Sequence, residues 1–176
     1  MKIKFILFIT ITVLTFLSCS SSDDSSPENS NYAMTAKING EDFQANNPFG
    51  NNEPSSTTIF NYFPKEDFVL LIGREGGVIG GKEIKIWLKK SDIIVGSYET
   101  GPETFDTTPS HFIDFLDLTN EIDESTKNGT IEITEVNTST NTVTGTFSFT
   151  TVDGTFDPSS PIDFNITDGT FKYIYE

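Results

Sequence analysis

One thiol, one imidazole and one indole are the scarcest reactive side chains of this 176-residue chain: Cys19, His111 and Trp87. A single cysteine forms no disulfide within the chain. His111 has no second histidine and no further cysteine to complete a metal set, and Asp114 is its one near acid in sequence. Carboxylates are plentiful, with 26 Asp and Glu, yet no pair stands apart from the solvated ones as a general acid and base. The alternating Asp/Asn spacing of a calcium loop is absent. No catalytic residue, cofactor site or metal site follows, and the chain reads as a non-enzyme. Two aromatics, Trp87 and Tyr98, could stack on the flat apolar face of a sugar ring if they stood in water.

The setting of Cys19 gives the thiol a use. Lys2 and Lys4 are followed by an apolar run from Phe5 to Leu17, interrupted by three threonines, and then by Ser18-Cys19. A basic start, an apolar stretch of about a dozen residues and a small residue at the cut form an export signal. The run is short for a membrane-spanning helix, which needs about 20 residues. With Leu17 and Ser18 ahead of the cysteine, residues 1–19 resemble a bacterial lipoprotein signal, although Phe16 stands where that signal usually has Leu. The resemblance implies removal of residues 1–18 and a diacylglycerol on the Cys19 sulfur. Acyl chains contribute roughly 0.8 kcal/mol per buried CH₂ and would anchor the protein without spanning the bilayer.

Residues 20–31, SSSDDSSPENSN, contain no hydrophobic side chain. Such a stretch buries too little surface to offset the entropy of ordering, so 19–31 reads as a lipidated cysteine plus a flexible acidic tether. Its Asp23-Asp24 pair also resembles the surface-export stretch of Bacteroidota lipoproteins, with an ordinary polar linker as the equal alternative. Loss of Lys2 and Lys4 with the leader takes the net charge from −15 to −17. That balance disfavours nucleic acid, which is bound through Lys and Arg on phosphates. It also disfavours laying the domain flat on anionic lipid. The expected location is the outer membrane or cell surface.

From Tyr32 onward the signals are strands and turns. Residues 33–38 and 41–45 flank Asn39-Gly40, the pair that suits a tight hairpin. Residues 57–63 are β-branched and aromatic, and Phe68–Ile72 is apolar at every position, as in a strand covered on both faces. Residues 73–81 hold five glycines. They match neither phosphate-loop spacing nor a strand-to-helix turn, so a mobile hairpin loop is expected. In 83–89, Ile84, Ile86 and Leu88 share one face; Lys85, Trp87 and Lys89 share the other. Trp87 is then either covered by a loop or second layer, or exposed as a platform. Residues 95–100 and 111–119 read as strands. Residues 130–136 and 142–151 read as a hairpin with Val143, Gly145, Phe147 and Phe149 inward and a row of Thr and Ser outward. Thr167-Asp168-Gly169 reads as a turn between two last strands.

The pieces TAKINGEDFQA, GSYET, GTIEITEVN, TVTGTFSFT and ITDGTF, in that order, resemble a family of Bacteroidota lipoproteins classed as a domain of unknown function. The resemblance implies an all-β envelope lipoprotein over roughly residues 32–175 and brings no catalytic residues. Asp106-Thr107-Thr108 also resembles an O-glycosylation acceptor of those bacteria, with Thr107 as the acceptor. About nine or ten short strands predict an antiparallel β-sandwich, or a partly closed β-barrel, over a single domain at 32–176. The expected activity is binding or scaffolding by a lipid-anchored protein with a protein or glycan partner. The alternative is a glycan-binding module of a polysaccharide-uptake system.

Overall fold

The computed structural model describes residues 32–48, 55–56, 58–59, 67–102, 110–153 and 159–175. The expected leader and tether, Cys19 and Thr107 lie outside the described residues, as does most of the strand expected over 57–63. Among the described residues eleven strands form: β1 Met34–Ile38, β2 Glu41–Ala45, β3 Ser55–Ser56, β4 Thr58–Ile59, β5 Phe68–Arg74, β6 Lys82–Lys89, β7 Gly96–Thr100, β8 His111–Asp117, β9 Ile122–Asn137, β10 Thr142–Asp153 and β11 Asn165–Ile174. Their order in one sheet is β2-β1-β11-β10-β9-β8-β6-β5-β4, with β7 beside β9 and β3 beside β11. Every pairing is antiparallel except the short one between β3 and β11. The all-β antiparallel expectation holds, and the sheet takes the partly closed form: it curls into a half-barrel.

Local chemistry explains the first hairpin. Asn39 at φ 51° and Gly40 at φ 86° take the two left-handed positions that a tight turn between twisted strands requires. The curl then brings the end of β2 against the end of β5 through one bridge, Asn46 to Arg74. The core fills the concave side. Met34, Phe43, Leu71, Ile86, Phe115, Ile131, Phe147 and Tyr173 are among its fully or nearly fully buried side chains. Tyr173 crosses the interior, and its hydroxyl donates to the Ile72 carbonyl at 2.8 Å. That bond joins β11 to β5 without any shared strand edge.

Three expectations are corrected. Thr167-Asp168-Gly169 is not a turn, because β11 runs through it unbroken. Asp168 sits at φ 53°, and the register with both β10 and β1 slips by one residue there. The segment is a β-bulge, which accepts a left-handed residue as readily as a turn does. Gly73 and Arg74 belong to β5 rather than to the glycine loop. Finally, β9 is sixteen residues long and starts at Ile122, well before the expected residue 130. Its polar first half shows no apolar alternation, yet it is held by β8 on one edge and the end of β10 on the other.

Candidate functional site

The outward faces of β9, β10, β11 and β1 form a hydroxyl-rich groove. The period of two places Thr130 and Glu132 of β9, Thr146 and Ser148 of β10, Thr170 of β11 and Lys37 of β1 along it. Registers align them in rows: Glu132, Thr146 and Thr170 in one, Thr130 and Ser148 in the next. The bulge puts Thr167 and Asp168 along the same groove. The open space measures about 700 Å³, and a neighbouring hollow of about 320 Å³ shares Thr130, Ser148 and Thr167 and adds Glu99, Asn128 and Asn165.

Charge here is net negative and wet. Lys37 Nζ lies 3.8 Å from Asp168 Oδ2, and both side chains are exposed. The Thr35 and Thr170 hydroxyls share a 2.8 Å hydrogen bond, and Thr150 donates to Asn128 Oδ1 at 3.0 Å. The groove lining offers donors and acceptors from hydroxyls, one ammonium and two carboxylates, with no imidazole or thiol among them. Such a surface can hold a polar, hydroxyl-bearing ligand by hydrogen bonds. The floor is closed from within by Phe147 and Phe149, which point into the core.

The aromatics expected as a platform are placed otherwise. Trp87 is 4% exposed and belongs to a second apolar cluster with Phe68, Leu70, Ile72 and Phe112 on the convex side of β5, β6 and β8. Trp87 is covered rather than exposed, flanked by the apolar residues that the neighbouring strands carry on the same face. The indole N–H donates to Asp114 Oδ2 at 2.8 Å. Beside it, the buried Glu83 carboxylate pairs with Arg74 Nε and, at 3.2 Å, with Lys85 Nζ. Tyr98 is half-buried. Its hydroxyl donates to the Ile94 carbonyl at 2.9 Å, and its ring meets the His111 ring edge-on at 4.3 Å between centroids. The Trp87 ring is closed to a sugar, and the half-buried Tyr98 ring is partly taken up by His111.

His111 is fully buried, and its Nδ1 accepts the Lys89 N–H at 3.2 Å. Burial pushes its pKa down, against smaller opposing contributions from Asp92 and Ser110. Among the described residues no group of three or more His, Cys, Asp or Glu is placed to hold a metal. Glu124 is buried beside the end of β10, and burial pushes its pKa up, with Asp163, Asp153 and Asp123 adding to the effect. Lys37, Glu132, Asp168 and Thr170 carried no separate signal in the sequence. The outward threonine row marked the face, but only the bulge and the neighbouring β1 make it a groove.

The chain matches the family model described as Domain of unknown function (DUF6252) over residues 30–174. No curated protein and no solved structure matches it.

Proposed function

The chain belongs to the DUF6252 family of domains of unknown function, and from that premise we propose a non-catalytic, lipid-anchored envelope protein that works by binding. The observation that carries the anchor is the lone thiol, Cys19, at the end of a basic-then-apolar leader and ahead of a stretch without hydrophobic residues. The mature domain then has no cysteine and holds together by its core alone. The outer membrane or cell surface is the place such an anchor serves. Growth of the producing bacterium with labelled palmitate tests it: label enters the wild type and is lost in Cys19→Ala. Protease treatment of intact cells then separates a surface position, where the protein is cut, from one facing the periplasm.

The groove favours a second, narrower reading, a glycan ligand. Its rows of Thr and Ser hydroxyls with Lys37, Glu132 and Asp168 match the donors and acceptors of a sugar better than an apolar ligand. Trp87 plays no part in this reading. Retarded migration in an affinity gel containing a bound polysaccharide, lost in a Thr146→Val/Thr170→Val double variant, supports it. Equal migration in every polysaccharide tried removes it.

A further inference from the structure

We propose that the tip of the β5–β6 hairpin, Val78-Ile79, inserts into the same bilayer that holds the lipid anchor. The proposal rests on the anchored reading above. Ile79 is 90% exposed and Val78 61%. Hairpin tips are ordinarily polar, so a Val-Ile pair held out in water needs an occupant. The tip is a built presentation rather than a slack loop. Glu75 N–H donates to the Lys82 carbonyl at 3.0 Å, Arg74 Nη1 to the Val78 carbonyl at 2.8 Å, and Gly81 N–H to Thr119 Oγ1 at 3.0 Å. Gly76, Gly77, Gly80 and Gly81 all lie at positive φ, which lets the backbone fold around the two apolar residues. Leu118, 40% exposed, donates its N–H to the Gly81 carbonyl at 3.1 Å and extends the apolar surface.

The position of chain entry selects the occupant. Ala33 N–H donates to Asn46 Oδ1 at 2.9 Å, the Asn46 carbonyl accepts Arg74 N–H at 3.1 Å, and the Arg74 guanidinium holds the Val78 carbonyl. Three consecutive hydrogen bonds therefore link the point where the domain begins to the hairpin tip. A second exposed apolar pair among the described residues, Ile94 and Val95, follows the far end of β6. From Cys19 to Tyr32 the chain can reach at most about 45 Å, so the anchor ties the domain to the lipid at its Tyr32 end. Two or three apolar side chains at the end of a stiff hairpin suit the acyl–headgroup boundary. The net negative charge leaves this contact to apolar burial rather than to anionic headgroups.

The test uses full-length acylated protein carrying Ile79→Trp, reconstituted in phosphatidylcholine vesicles with and without bromine on the acyl chains. The parent protein supplies the background, because Trp87 is buried within the domain. Burial of the new indole about 5–10 Å into the boundary shifts its emission to the blue and lets bromine remove about half of it. Raised salt leaves both effects in place. Water-like emission untouched by bromine, with palmitate still on Cys19, overturns the hairpin proposal and spares the anchor. Absence of palmitate overturns both. A blue shift without bromine quenching that grows with protein density assigns the tip to a second copy of the chain and overturns insertion.

Discussion

At the scale of single residues, burial decides what titrates. The folded state holds His111 neutral, with burial lowering its pKa from the ordinary 6.5, so as pH falls the unfolded chain takes up the proton first. The stabilising contribution of the neutral ring is therefore full above about 6.5 and is lost as pH drops below it. Denaturation midpoints of the wild type should fall from pH 7 to pH 5 relative to His111→Phe, in which this component is absent. Glu75 and Glu124, both pushed up by burial, run the opposite way and lose stability as pH rises, which is why the comparison is made between the two proteins at each pH. Asp168 makes a second residue-scale case. At φ 53° a β-branched side chain is strained, so Asp168→Val should cost about 1–2 kcal/mol by denaturant melting, while Asp168→Gly should fold without that penalty.

At the scale of elements, three glycines and three phenylalanines pair across β9, β10 and β11. Gly129 faces Phe149, Gly145 faces Phe171, and Gly169 faces Phe147 as direct cross-strand partners. A Cβ on Gly145 would stand 2.5 Å from Phe171 Cζ, and one on Gly169 2.5 Å from Phe147 Cδ2. The Phe171 and Phe147 rings thus occupy the space that Gly145 and Gly169 leave empty. Gly145→Val should destabilise by roughly 2–4 kcal/mol, read as a lowered denaturation midpoint, because a packed interior absorbs extra volume poorly. Elements whose signal is local were legible before folding: Asn39-Gly40 announced its hairpin, and the alternation from Val143 to Phe149 announced β10. The apolar run Phe68–Ile72 announced a strand covered twice, and it is the reason Trp87 has neighbours on the convex side. The bulge was not legible. A left-handed Asp ahead of Gly signals a turn and a bulge alike, and only the partner strands choose between them. The first half of β9 was hidden for a related reason. Its buried positions are Glu124 and Thr126, and the Thr126 hydroxyl donates to the Ile113 carbonyl instead of offering apolar surface.

At the scale of the whole molecule, the curl is held from inside as well as along its edges. The Tyr173 hydroxyl is buried completely, and burial alone pushes its pKa up, so it remains a donor at any ordinary pH. Tyr173→Phe should lower stability by about 1–2 kcal/mol through the lost bond to Ile72, with the denaturant slope unchanged because the same surface is buried. The groove was half legible at this scale. The row of Thr and Ser was visible in β10, but Lys37 comes from more than a hundred residues upstream, and only the β1–β11 pairing carries it there. The Asn46–Arg74 bridge carries one more implication. Among the described residues the seam has a single backbone rung, backed by the exposed Lys82–Glu41 contact at 3.3 Å, and a wall so lightly stitched has a zipper's first tooth at that rung. In deuterium, the Arg74 amide should trade its proton well ahead of those in the middle of β10, and water should find its way inward there before anywhere along the β9–β10 ladder.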